Sequence, residues 1–333
     1  GYAGAAIHAG RVYLLDYDRD AGADTMRCLS FDDGREIWKF AYPVKVKRNH
    51  GMSRTVPTVT DRHVVGFGPK CHVTCLDAAT GEEKWMIDLV RDHGATVPQW
   101  YAGQCPLVDG ERVILAPGGP DALMLAVELE TGEIAWTTSN ELGWSMTHAS
   151  IVRADLSGVP TYVYCGKRGV VGVSAETGDV LWHTDAWKIS IATVPTPVPV
   201  GDDRVFLSGG YNAGSLMLRV ERADTGTLVP RVEYRLGPET FGATQQTPIL
   251  YKGHLYGADG NVGGARLVCV DPKDGSVQWK ENLRVGGLSL AGDKLLVQGG
   301  SGTLSVVEAS PASYQLVGQQ TVLDGTCWTN PNL

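Results

Sequence analysis

Asp77-Ala78-Ala79-Thr80-Gly81-Glu82-Glu83-Lys84-Trp85 decides the fold, because the pattern is not alone in the chain. A polar residue, a turn ending in Gly, three residues and then Trp return as Ser30 to Gly34 and Trp38, as Glu130-Thr131-Gly132 to Trp136, as Glu176-Thr177-Gly178 to Trp182, and as Asp274-Gly275 to Trp279. A weaker copy sits at Asp224-Thr225-Gly226, where the spacing puts Pro230 in the Trp position. Neighbouring copies lie roughly 45–50 residues apart, the range of propeller blades of four strands each.

The interior of one repeat supports four strands. Thr247 to Leu250, His254 to Gly257, Arg266 to Val270 and Val277 to Trp279 are short β-rich runs, separated by Lys252-Gly253 and by the turn to Gly275. Glycine at such turns reaches φ > 0 without steric cost. The same scheme fits Val56 to Trp85, Gln104 to Trp136, Ala149 to Trp182 and Pro195 to Tyr234, with a Trp-less copy from Gly287 to Gln319. Helical periodicity is absent over any useful length. The pattern predicts an all-β propeller forming a single domain over 1–333, with repeats at about 4–40, 55–88, 103–138, 147–184, 193–236, 244–282 and 286–319. The remnant 323–333 reads as the inner strand of one more blade. Eight blades are therefore expected, the eighth incomplete in this sequence and its other strands beyond both ends; seven blades and a stray strand are the alternative.

Composition narrows the function classes. The chain has 333 residues, 43% of them hydrophobic, which is enough for a core. A net charge of −8 lacks the basic footprint of a nucleic-acid binder. No apolar run approaches the roughly 18 residues of a membrane span. The chain does not begin with Met, so a processed or trimmed N-terminus is expected. Seven cysteines leave at least one unpaired within the chain. Cys28, Cys75 and Cys269 share one place in their repeats, as small buried hydrophobes on a strand would.

The recurring motif resembles the PQQ-like, or quinoprotein-like, propeller repeat. Asp77 to Trp85, Glu128 to Trp136, Ser174 to Trp182 and Asp271 to Trp279 carry the resemblance, which covers nearly the whole chain. It implies that Trp38, Trp85, Trp136, Trp182 and Trp279 pack between neighbouring blades and lock them, as a large ring with one N–H donor suits. Members of that family are either PQQ-dependent dehydrogenases or cofactor-free propellers. The methanol-dehydrogenase type has adjacent cysteines and is much longer; this chain has no Cys-Cys pair. The resemblance therefore implies a periplasmic or secreted binding or scaffold protein, meeting protein partners through its blade faces. A PQQ-dependent oxidoreductase using PQQ with Ca²⁺ is the runner-up, and a structural subunit of a larger complex is the third reading. Sialidase Asp-boxes are a poorer match, since Trp38 comes one residue late after Ser30 to Gly34.

What distinguishes the chain lies in the segments after each Trp, which a propeller brings to one face. Lys45 to Arg54 is strongly basic in an acidic protein, and Arg91 to Gln104 is rich in His, Trp, Tyr and amides. From these segments Arg54, Trp100, Gln104, Trp144, His148, Lys188, Gln245 and Trp328 are the expected ligand-binding residues at the channel mouth. Arg54 suits a carboxylate, and Trp100, Trp144 and Trp328 suit a ring or a sugar face. In the quinone reading Arg54 or Lys188 would contact the quinone carboxylates. Plugging the channel and bonding neighbouring backbone is the plainer use of the same residues. His50, His93 and His148 come from three successive segments and could meet over the channel, but no metal site is expected. Ser145 and His148 lack a nucleophile elbow. Gly209 to Gly214 lies between strands and reads as a hairpin turn rather than a phosphate loop.

Overall fold

The computed structural model describes residues 4–47, 49, 52–260 and 264–332. The first sheet is an antiparallel meander of β1 (Ala5–His8), β2 (Arg11–Asp18), β3 (Ala23–Ser30) and β4 (Glu36–Pro43). The second contains β5 (Thr58–Val59), β6 (His63–Phe67), β7 (His72–Asp77) and β8 (Glu83–Asp88), followed by the one-turn helix α1 (Leu89–His93). The third is β9 (Leu107–Asp109), β10 (Arg112–Leu115), β11 (Met124–Glu128) and β12 (Ile134–Thr138), and the fourth β13 (Val152–Leu156), β14 (Val159–Gly166), β15 (Gly169–Ser174) and β16 (Val180–Thr184). The fifth is β17 (Val198–Val200), β18 (Arg204–Gly209), β19 (Gly214–Arg222) and β20 (Leu228–Leu236).

The next two repeats share a strand. β21 (Ile249–Tyr251), β22 (His254–Asp259), β23 (Ala265–Val270), β24 (Val277–Ala291), β25 (Lys294–Gly299), β26 (Thr303–Glu308) and β27 (Leu316–Thr321) form one seven-stranded sheet. The first half of β24 pairs with β23 and the second half with β25, and Val285 pairs with both Ala265 and Gly299. Repeats 244–282 and 286–319 are thus joined without a loop.

The apolar core lies between sheets, not within them. Val65, Val73 and Trp85 of the second sheet pack with Val113, Leu125 and Val127 of the third. Equivalent clusters join every consecutive pair from first and second to sixth and seventh repeat. Middle strands are consequently buried on both faces, as β6 and β15 are throughout, while the fourth strands face solvent. First strands of successive sheets approach one another, β1 with β5, β13 with β17 and β17 with β21. This places them innermost.

The motif now has a physical reading. Each Trp pairs directly across from the third strand at a β-bulge: Cys28 with Trp38, Cys75 with Trp85, Ala126 with Trp136, Gly172 with Trp182 and Cys269 with Trp279. The bulge turns the ring toward the next sheet. Trp38 Nε1 donates to Ala78 O at 3.2 Å, Trp85 Nε1 to Leu129 O at 2.8 Å and Trp279 Nε1 to Ser310 O at 2.8 Å. The glycine of the next turn has to be bare: a Cβ on Gly81 would lie 2.6 Å from Trp38, on Gly132 2.7 Å from Trp85 and on Gly178 2.5 Å from Trp136. Their φ values of +77°, +76° and +80° independently demand glycine. Trp182 differs: it fills the space over Gly172 of its own sheet and joins the cluster with Leu218 and Leu228. The indole N–H groups of Trp136 and Trp182 are buried without a partner among the described residues.

The fifth repeat corrects the spacing argument. Pro230 pairs with Val220 in a hairpin that extends past the usual turn, and Tyr234, not Pro230, stands at the bulge opposite Met217. Tyr234 Oη donates to Pro272 O at 3.0 Å, and a Cβ on Gly275 would meet Tyr234 at 2.9 Å. The longer hairpin moved Gly226 away from the lock, so counting from that glycine reached the wrong residue. All seven cysteines are free thiols. Burial pushes the Cys75 and Cys269 thiols up to about 12, which suits packing opposite a Trp and not redox chemistry.

Replacing Tyr234 by Ala should cost about 3–5 kcal/mol, as loss of a packed ring does, whereas Pro230→Ala should stay within about 1 kcal/mol. Urea unfolding of the two variants checks the assignment.

Candidate functional site

The segments that cross from each fourth strand to the next first strand carry the expected site residues. The second crossing begins with α1, capped by Asp88, whose carboxylate accepts from Val90 N at 3.0 Å and Arg91 N at 3.2 Å. Gly94, at φ +65°, closes its C-terminus with a bond to Val90 O. Two consecutive non-glycine residues further on, Trp100 and Tyr101, adopt φ of +68° and +74°. Each such residue costs on the order of 1–3 kcal/mol and persists only where its surroundings hold it.

Those surroundings come from three crossings and one turn. Tyr101 N–H donates to Pro98 O at 3.0 Å and Ala102 N–H to Pro69 O at 3.1 Å. The Tyr101 hydroxyl donates to Lys47 O at 2.7 Å, and Lys70 Nζ lies 5.4 Å from the centre of its ring. His148 Nε2 lies 2.8 Å from Gln99 O, and its ring centre lies 6.3 Å from that of Trp100. Burial lowers the His148 pKa, the Gln99 carbonyl opposes this, and the Arg54 charge lowers it further. His148 is therefore a neutral imidazole near pH 7 whose Nε2–H is assigned to the carbonyl.

Arg54, Trp100 and His148 thus come together, and around them stand Tyr101, Lys47 and Lys70. The other expected residues have different roles. Gln104 is fully buried, its amide donating to Ala116 O at 3.3 Å and accepting from Ala116 N at 2.8 Å. It ties the crossing to the sheet and presents nothing outward. Trp144 is 5% exposed and lies over Gly166 and Gly169, edge-on to His183 at 6.2 Å. Lys188 is exposed and 3.4 Å from Asp185. Gln245 and Trp328 are half-buried on their own segments. His50 lies outside the described residues, His93 sits on α1, and His148 is committed to Gln99.

The structure adds residues that the sequence did not single out. Tyr101 and Lys70 stand beside Trp100 and Lys47. A fully buried carboxylate, Asp24, anchors the first crossing: it accepts from Tyr42 Oη at 2.9 Å and from Ser53 Oγ at 2.5 Å. Burial raises its pKa from 3.8 to about 6, against the two hydroxyls, with Asp16 adding a smaller upward push. A second buried carboxylate, Asp259, is neutralised by Arg266 at 2.6 Å and Lys280 at 3.0 Å. A cleft of about 420 Å³ opens between the sixth and seventh repeats, lined by Asn282, Arg284, Ser301, Thr303 and Gln319, and no expected residue borders it.

A quinone with a divalent ion does not fit this arrangement. Among the described residues no three His, Cys, Asp or Glu side chains converge as metal ligands. Trp144 is packed into the core and Lys188 is held by Asp185.

A family profile described as outer membrane protein assembly factor BamB matches residues 22–281. The structure of BamB from Moraxella catarrhalis is similar, with a TM-score of 0.65 and 14% identity over 99% of this chain and 88% of that one. The quinohemoprotein alcohol dehydrogenase of Comamonas testosteroni is similar at a TM-score of 0.64 and 14% identity, over 99% of this chain and 68% of that one. These identities speak for the β-propeller fold alone. No curated protein sequence matches the chain.

Two outcomes follow from the geometry. Gln104→Ala leaves the buried Ala116 groups unpaired and should cost about 1–3 kcal/mol in urea unfolding, while Lys188→Ala should change stability by less than about 0.5 kcal/mol. For Asp24 the native state holds the proton more tightly than the unfolded chain between pH 3.8 and about 6. Its contribution is therefore complete below that window and is lost as pH rises through it, by up to about 3 kcal/mol. Asp24→Asn should flatten the stability profile across that range, as chemical unfolding at stepped pH will read.

Proposed function

This chain belongs to the family of the outer membrane protein assembly factor BamB, and from that premise we propose that it is a docking scaffold in outer-membrane protein assembly, working in the periplasm. The observation that carries this reading is the mouth group. Hydrogen bonds from Tyr101 to Lys47, from Ala102 to Pro69 and between His148 and Gln99 bind the successive crossings into one platform. Lys47, Lys70 and Arg54 bring positive charge to that group in a protein of net charge −8. The partner this suits is a protein surface carrying carboxylates beside apolar side chains, with the aromatic residues as anchors and the cations as steering charges. A polar or anionic small molecule would engage the same residues and would be displaced by such a partner.

The ring has eight positions in this reading. Support comes from residues 327–331, which run along the inner strand of the seventh repeat: Leu288 N donates to Asn330 Oδ1 at 3.1 Å and Ser289 Oγ to Pro331 O at 2.5 Å. A Cβ on Gly4 would lie 3.7 Å from Asn332 Nδ2 and 2.9 Å from Val56, so both chain ends meet beside the first sheet.

The triple variant Trp100→Ala, Lys47→Glu, Lys70→Glu should lose at least about tenfold in recovery of outer-membrane assembly components with the purified protein, as removal of an interface hot spot does. Its urea midpoint should stay close to that of the parent. Binding should also weaken as salt rises, because Lys47 is exposed. Undiminished recovery, together with normal outer-membrane protein levels when the gene is deleted, would refute the reading.

A further inference from the structure

From the third repeat to the seventh, the third strand turns alternate residues toward the preceding sheet. One of them sits one place ahead of the residue that pairs across from the ring. It is Leu125, Val171, Leu216 and Val268 in the third to sixth repeats, each fully buried in the cluster that joins its sheet to the one before. In the seventh repeat Gly318 stands in the place of the ring, opposite Val306, so the position falls to Ser305. The same face of β26 runs Val307, Ser305, Thr303, and that of β25 runs Leu295, Val297, Gly299. Val307, Leu295 and Val297 pack with Tyr256 and Leu267 of the sixth repeat. Beyond them come two short hydroxyl side chains and a bare glycine, which do not fill the space to the sixth repeat. The cleft of about 420 Å³ opens there.

Its opposite wall is Asn282, Leu283 and Arg284, where β24 passes from pairing with β23 to pairing with β25. Arg284 takes φ +54° at that bend, and its carbonyl accepts from Gly300 N at 3.4 Å. Among the described residues no carboxylate lines the cleft, and none forms an ion pair with Arg284. Lys280, on the same strand, is by contrast committed to Asp259 at 3.0 Å. Gln319 Nε2 donates to Ser305 Oγ at 2.8 Å, so the Ser305 O–H keeps its own proton for another acceptor. Asn282, Ser301 and Thr303 add an amide and two more hydroxyls to the lining. Among the described residues of that lining only Leu283 has an apolar side chain.

We propose that this cleft is a binding site for a small hydroxylated oxyanion, of the sugar-acid or sugar-phosphate class, with Arg284 holding the anionic group and Asn282, Ser301, Thr303 and Ser305 meeting the hydroxyls. The chemistry of the lining selects that class. A guanidinium not spent on a carboxylate takes a planar or tetrahedral oxyanion through two parallel N–H bonds. Amides and hydroxyls both donate and accept, as a polyol requires. A lining with so little apolar surface gives a hydrocarbon ligand nothing to pack on. The volume lies within the roughly 300–1,000 Å³ of small-molecule sites. Gly299 and Gly300 border the cleft with backbone alone and leave that volume open. The site shares no residue with the mouth group, so it does not depend on the docking role.

Calorimetric titration of the purified protein at low salt with gluconate, glucose 6-phosphate and glucose tests the assignment. At least one of the two oxyanions should bind saturably and at least about tenfold more tightly than glucose, and the tighter of the two identifies the anionic group. Arg284→Gln removes the charge and keeps the length of the side chain. It should weaken that binding at least about tenfold. Asn282→Asp sets a carboxylate in the lining and should weaken it at least as much by repulsion. Both residues are exposed, so the urea midpoints of the variants should stay close to that of the parent. Failure of both oxyanions to bind, equal binding of glucose, or unchanged binding in either variant would overturn the site.

Discussion

One contact recurs at four of the six junctions between the described repeats: an aromatic ring on the fourth strand of a sheet, laid over a left-handed glycine in the next sheet's turn. The contact needs three things at once. The ring has to leave its strand at an angle, which the bulge opposite the third strand supplies. The seat has to lack a Cβ, which glycine at φ near +77° satisfies for both steric and conformational reasons. The ring's donor has to find an acceptor, which the carbonyl three residues before the glycine provides for Trp38, Trp85 and Tyr234. Because the core lies between sheets, these locks set the spacing at which the apolar clusters close.

The mouth depends on that frame. Each Trp lock holds a fourth strand near its start, and the strand runs on from there to the crossing segment. Residues from the first, second and third crossings can therefore meet: Lys47 receives Tyr101, and His148 meets Gln99 and Trp100. The Trp100-Tyr101 pair is held there from both neighbouring crossings. Asp24 belongs to the same logic from below, since its bonds to Tyr42 and Ser53 tie the first crossing to the first sheet.

Much of the fold was legible, because each repeat carries a glycine, three residues and a ring in one short motif, although each ring is seated on the glycine of the next repeat. It failed where a long-range adjustment intervened. The fifth hairpin grew, so Gly226 left the lock and Tyr234 entered it, and no count along the chain could show this. The mouth was legible only as a set of segments. Arg54, Trp100 and His148 were identifiable as polar and aromatic residues beside inner strands. The burial of Trp144 and the turning of Gln104 onto Ala116 depend on partners far along the chain. The left-handed Trp100-Tyr101 pair carries no sequence signal, since neither residue type favours that conformation.

The central claim is that ring and glycine act as one unit. A double-mutant cycle on Trp85 and Gly132, with Trp85→Ala, Gly132→Ala and the double variant unfolded in urea, measures that coupling directly. The account predicts a coupling of at least about 1 kcal/mol, because once the ring is gone the added methyl has only its φ penalty left to impose. Additive losses from the two substitutions would contradict it.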